Sequence, residues 1–175
     1  KPDGVFVFYP GAWGPAFFTQ YAQAGLNKTV PLYNVFSIDG ANLPIFQKRK
    51  MTHLLGTMNT NFWAPDLDNP ANKKFVPAFK KHYKGQVPAH YAAQAYDALN
   101  LIAAGIRAAK GDVSNMDAVR KDMEAADFDS VRGKLKFGKN PFPIQNFYAR
   151  KVVSKDGQWQ LSKVGDAVMK DHAPV

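Results

Sequence analysis

Residues 4–9 read Gly4-Val5-Phe6-Val7-Phe8-Tyr9, and residues 31–36 read Pro31-Leu32-Tyr33-Asn34-Val35-Phe36. Two short, nearly unbroken apolar runs of this kind read as strands buried on both faces, as in a parallel sheet. Between them, Pro10-Gly11 and Gly14-Pro15 end the first strand, and Phe18, Tyr21, Ala22 and Gly25-Leu26 follow. Pro15 suits the first turn of a helix and Gly25 its carboxy-terminal cap. Parallel strands cannot be joined by a hairpin, so a helix of about three turns must carry the chain back in a right-handed crossover. The chain therefore opens as a βαβ unit, and its fold class is α/β.

The remainder extends this pattern and then changes it. Residues 43–50 suit a short helix, and residues 54–60 a third strand, weakened by Gly56. Asn69 is placed as an N-cap with Pro70 at the first helical position. Phe75, Val76, Phe79 and Tyr83 share one face of that helix, with Lys74, Lys80 and Lys81 solvated, and Lys84-Gly85 ends it. After Pro88 comes the longest helical stripe: Tyr91, Ala95, Tyr96, Leu99, Ile102, Ala103 and Ile106, closed by Gly111. Ser114-x-x-Asp117 has the capping-box pattern, opening a helix whose buried side would carry Met116, Val119 and Met123. From Ser130 the period turns to alternation, with Val131, Leu135 and Phe137 around Gly133. Residues 147–153 and 158–161 then flank Lys155-Asp156-Gly157, which predicts a carboxy-terminal β-hairpin.

Much chemistry is excluded by composition. The 175 residues contain no cysteine, which removes thiol catalysis, disulfides and thiolate metal sites. No apolar run reaches the roughly 20 residues a membrane-spanning helix needs. Lys1-Pro2-Asp3-Gly4-Val5 is not a signal peptide, so either a targeting segment was removed or the chain starts internally. The net charge is +9, but its clusters are short: Lys48-Arg49-Lys50, Lys73-Lys74 and Lys80-Lys81. No arginine stripe interleaves with aromatics, so the charge reads as a solvated surface and not a nucleic-acid face. There is no nucleophile elbow, phosphate loop, zinc-protease motif or dinucleotide fingerprint. Gly11-Ala12-Trp13-Gly14 lies at a strand-to-helix turn but lacks the Lys-Ser/Thr of a phosphate loop. His53, His82, His90 and His172 lack metal-ligand spacing, and capping explains Asp68 better than a carboxylate pair with Asp66. The sequence offers no catalytic residue, metal site or cofactor.

What it offers instead is aromatics at strand ends. In open α/β sheets, ligands bind beyond the carboxyl ends of the strands. The first strand ends in Tyr9, with Trp13 just past it. The second ends in Phe36, followed by Ser37 and Asp39, and the third leads into Phe62 and Trp63. Large rings beside a few polar groups suit a small amphipathic ligand.

Lys1-Pro2-Asp3-Gly4-Val5-Phe6, Gly25-Leu26, Asp68-Asn69-Pro70-Ala71-Asn72, Phe75, Pro88, Ala95-Tyr96-Asp97-Ala98 and Val131-Arg132-Gly133 stand in an order that resembles type I periplasmic solute-binding proteins of ABC transporters, in the Leu/Ile/Val-binding-like group. The resemblance runs to near Lys163 and implies flavodoxin-like three-layer lobes, each with a parallel sheet. It implies two lobes that close on a ligand, with residues 1–86 resembling the later part of the second lobe. Residues 87–141 resemble a return into the first lobe, and 142–175 the final crossing, hairpin and tail. Ligand contacts would come from after the strand at Tyr9, with Trp13 and Phe36, from the Ser37–Asp39 loop and from the helix start near His90-Tyr91, with Phe62 and Trp63 as secondary contacts. Amino-acid binders of the group often hold the ligand ammonium with an acid in that loop. Here Ser37 occupies the matching place, with Asp39 two residues on, so the solute expected is either a branched-chain or hydrophobic amino acid or an aromatic or aliphatic carboxylate. The resemblance also implies a periplasmic or lipid-anchored location and a membrane permease as partner. It makes this chain the carboxy-terminal half of such a protein, to be completed by an amino-terminal half or a second copy, since the stripes at Tyr91, Tyr96, Leu99, Ile102, Met116 and Met123 would otherwise face water. A ligand-sensing domain on the same fold and a small α/β enzyme are the competing readings.

Overall fold

The computed structural model describes residues 2–173; Lys1 and the last two residues of the 142–175 segment lie outside them. Six strands form one sheet, β1 (Val5–Val7), β2 (Leu32–Val35), β3 (Met58–Asn61), β4 (Lys136–Phe137), β5 (Pro143–Lys155) and β6 (Gln158–His172). Its order is β1-β2-β3-β5-β4, with β6 also on β5. β1, β2 and β3 run parallel, as the βαβ reading requires, and β5 returns antiparallel on β3. The helices are α1 (Trp13–Gln23), α2 (Leu43–Lys48), α3 (Pro70–His82), α4 (His90–Ala108) and α5 (Met116–Glu124).

The core forms on one side of the parallel strands. Val7 of β1, Phe18 of α1, Leu43 and Phe46 of α2, and Trp159 and Leu161 of β6 pack together there. Opposite, Phe6 is 68% exposed, and Phe8 and Tyr33 are exposed as well. The expectation of strands buried on both faces is therefore corrected: β1 and β2 bury only the face that α1 and α2 cover. Sequence records that both faces are apolar, not which one finds a neighbour.

Three boundaries also differ from the sequence reading. β3 begins at Met58 and not at residue 54, because Leu54 closes a 3₁₀ turn and Gly56 takes a φ of 86°. Gly25 follows the C-cap residue Ala24, in the left-handed conformation at φ 71°, donating its N–H to Ala22 O. At α5 the cap is Asn115, whose side chain accepts from Ala118 N, while Ser114 donates to Asp112 Oδ1 at 2.6 Å. Two adjacent residues could cap; Asp112 captures the serine. Met116 is exposed, so only Val119 is fully buried on α5. Asn69 caps α3 as expected, accepting from Asn72 N at 2.8 Å. Asp156 and Gly157, both at positive φ (51° and 76°), make the tight turn of the β5–β6 hairpin.

A polar ladder crosses the sheet under α2. Asn34, Asn59 and Arg150 occupy one register row on β2, β3 and β5, all on the face that buries Val7. Asn59 Nδ2 donates to Asn34 Oδ1 at 2.7 Å, and Arg150 Nε donates to Asn59 Oδ1 at 3.0 Å. Asn34 also accepts from Ile38 N and donates to Met58 O. Buried polar groups persist only when bonded in this way, and the bonding fixes the register of three strands.

Candidate functional site

Two glycines and one strained residue bring the site together. A Cβ on Gly14 would stand 2.6 Å from Ser37 O and 2.9 Å from Tyr9 O, so glycine alone lets the start of α1 sit against the ends of β1 and β2. A Cβ on Gly40 would stand 2.9 Å from both Ala89 Cα and Pro88 O, so this glycine seats the 37–42 loop against the entry to α4. Phe36, which ends β2, has a φ of 53°, in the left-handed region that a bulky residue rarely occupies. Residues held in such conformations collect where function fixes the backbone.

The 37–42 loop is closed by its own hydrogen bonds. Ser37 Oγ accepts from Tyr9 N at 2.7 Å and donates to Val35 O at 3.1 Å, tying the two strand ends. Asp39 Oδ1 accepts from Ala41 N at 2.8 Å and Asn42 N at 2.9 Å, and Asn42 Oδ1 accepts from Asp39 N. Both side chains, named in the sequence as polar contacts, are buried and engaged in shaping the loop.

Around it the aromatic rings form a connected set. Phe36 packs against Phe8 at 6.2 Å, Phe62 at 6.3 Å and His90 at 5.0 Å, and His90 against Tyr91 at 3.9 Å. Tyr9 lies on Phe17 at 5.1 Å. The members differ in access. Trp13 is 74% exposed, Tyr9 and Tyr91 are exposed, and Phe36 is half-buried. Phe62 and Trp63 are buried in the second core cluster, and Trp63 Nε1 donates to Asn72 Oδ1 at 2.9 Å. The structure thus brings Tyr9, Phe36, Ser37, Asp39, His90 and Tyr91 to one end of the sheet, and places Trp63 beneath it.

His90 is 1% exposed, and neither ring nitrogen has a hydrogen-bond partner among the described groups. Burial, and next the nearby charge of Arg150, push its pKa down to about 3, so the ring is neutral. Burial pulls Arg150 down to about 9, partly offset by the charges of Asp39 and Asp66. The Tyr91 hydroxyl is raised, first by burial and then by Asp39. A second cation, Arg132, sits 5.3 Å from the Phe62 ring centre while its Nε donates to Asp97 Oδ2 at 2.8 Å and an Nη to Gln145.

Arg150 was missed from the sequence, although the signal was present. Tyr148, Arg150 and Val152 alternate along β5, and the apolar pair around it marked a buried face. Among the described residues no group of three or more His, Cys, Asp or Glu is placed to hold a metal ion. A largely parallel sheet with ring faces at its strand ends over a buried polar floor has the type I periplasmic-binding-protein fold. The chain belongs to the periplasmic binding protein family, whose model matches residues 1–158.

Solved structures agree. A solute-binding protein of an ABC transporter from R. palustris, in complex with benzoate, is 32% identical with a TM-score of 0.80 over 98% of this chain and 45% of that one. Another, from Rhodopseudomonas palustris BisB5 in complex with 3,4-dihydroxybenzoic acid, is 27% identical with a TM-score of 0.82 over 97% of this chain and 46% of that one. A leucine-binding protein from Thermotoga maritima shares the fold, at 22% identity and a TM-score of 0.71 over 92% of this chain and 44% of that one. The chain therefore spans less than half the length of these structures. No curated protein sequence matches it.

Proposed function

We propose that this chain is part of the solute-binding component of an ABC importer and that its solute is an aromatic carboxylate of the benzoate class. The observation that carries the reading is the pairing of open rings at Tyr9, Trp13 and Tyr91 with an acid, Asp39, that already serves backbone N–H groups. An amino acid needs a carboxylate for its ammonium group, and the carboxylate nearest this face is engaged. A benzoate needs ring faces and no such acid. The similar proteins solved with benzoate and with 3,4-dihydroxybenzoic acid point the same way.

In this reading Tyr9, Trp13, Phe36 and Tyr91 touch the ligand. Ser37 and Asp39 set the loop, and Phe62, Trp63 and His90 support the rings from behind. Residues 1–86 and 142–175 act in one lobe and 87–141 in the other, in a protein that works outside the inner membrane and hands its solute to a permease. The protein binds and releases without turnover. A thermal-shift series on the full-length protein tests this, because a ligand of the native state raises Tm according to its affinity. Benzoate and hydroxybenzoates should raise Tm and leucine should leave it near its starting value. A shift with leucine alone would reverse the assignment.

A further inference from the structure

Where the 37–42 loop meets the entry to α4 lies a small cavity of about 10 Å³, walled by Gly40, Trp63, Pro88, His90, Arg150 and Gln160 among others. Two of its walls carry unused polar capacity. His90 presents two buried ring nitrogens without a protein partner. Arg150 has five N–H donors; its Nε and one Nη serve Asn59 Oδ1, and the other Nη donates to Trp63 O at 2.9 Å. That leaves guanidinium N–H groups without a named acceptor, beside an imidazole acceptor without a donor.

A guanidinium can only donate, and a neutral imidazole always keeps one nitrogen that only accepts. A group that joins the guanidinium to that accepting nitrogen has to accept on one side and donate on the other. It must also fit a space near the minimum of about 10–15 Å³ that a single water occupies. We propose that this cavity is a binding site for one ordered water, which accepts from the Arg150 guanidinium and donates to a ring nitrogen of His90. A halide could meet the guanidinium, but it is too large for the space. The neutrality of His90 keeps the accepting nitrogen available across the ordinary pH range.

The water completes the polar ladder. Asn34, Asn59 and Arg150 already run from β2 to β5, and the water carries the chain of hydrogen bonds on to the first residue of α4. The sheet is thereby tied to the helix that presents Tyr91, whatever ligand the protein takes. This inference stands apart from the benzoate reading, and either can fail without the other.

Crystals of the full-length protein grown in sodium bromide and measured at atomic resolution provide the test. The expected result is one density peak within hydrogen-bond distance of both the Arg150 guanidinium and a His90 ring nitrogen, with no bromide anomalous signal. A dry cavity, a direct bond from His90 to a protein group, or a bromide peak would overturn the proposal. In solution, a nuclear Overhauser contact between the His90 ring protons and a long-lived water is expected in the wild-type protein. Its absence counts against the site equally.

Discussion

At position 39 a carboxylate accepts from Ala41 N and Asn42 N, the arrangement that caps a helix or closes a turn. Asp39→Ala should lower stability by about 1 kcal/mol, the usual loss for such a cap. Asp39→Asn keeps the accepting oxygen and should fall close to wild type, in denaturant unfolding and in affinity for benzoate alike. If Asp39→Asn kept its stability and lost the ligand, the acid would be a contact and not a cap. His90 makes a second prediction at this scale. Its pKa is about 3 in the folded chain and about 6.5 when unfolded. As pH falls below about 6.5 the unfolded chain takes up a proton that the folded chain refuses. Stability from this group is thus whole at neutral pH and is lost progressively until the pH reaches the folded value. At about 1.4 kcal/mol per unit the loss is at most a few kcal/mol. His90→Gln should flatten the fall in unfolding free energy between about pH 6 and about pH 4 relative to wild type; an unchanged slope would show that the imidazole is not held neutral.

Gly40 decides how two elements meet. Its missing side chain admits the backbone of Pro88 and Ala89, and neither can give way as a flexible side chain would. Gly40→Ala should therefore cost about 1–3 kcal/mol of unfolding free energy, read as a lower urea midpoint, as overpacking does. It should also weaken ligand binding, because the shift moves the start of α4 with His90 and Tyr91. Loss of stability with full affinity would separate this contact from the site. The same level shows what sequence could reveal. Punctuation was legible: Asn69-Pro70 opens α3, and Asp156-Gly157 turns the last hairpin. Ring positions at the strand ends were legible too, because strand order puts them at one end of any parallel sheet. Hydrogen-bond competition was not legible, so Asn115 and not Ser114 caps α5, and Ser37 and Asp39 proved to be engaged within their own loop. Cover was legible only in part. The stripe of α4 that the sequence left without a cover is indeed open, with Leu99 70% exposed, but which residues α4 buries instead (His90, Ala93, Asp97, Ala104 and Gly105) was not readable. Asp97 is buried because Ser130, Val131 N and Arg132 all donate to it, a pairing that spacing alone does not announce.

The molecule as a whole leaves two apolar surfaces open. One is the stripe of Tyr91, Tyr96, Leu99, Ile102 and Ile106 on α4, and the other is the sheet face with Phe6, Phe8 and Tyr33. Surfaces of this extent are rarely left to water in a stable monomer, and the matched structures are more than twice as long as the part this chain covers. The 175 residues alone should therefore self-associate in sedimentation velocity and bind benzoate far more weakly than the full-length protein, since a cleft between lobes needs both. A monodisperse monomer of the isolated chain would contradict that. The most direct test of the central claim is a calorimetric titration of benzoate into the full-length protein and its Tyr9→Ala variant, with the solute recovered afterwards. Saturable one-to-one binding of unchanged benzoate, weakened by about 1–3 kcal/mol on loss of the Tyr9 ring, is the predicted result. No binding, chemical conversion of the benzoate, or equal affinity in the variant would contradict it.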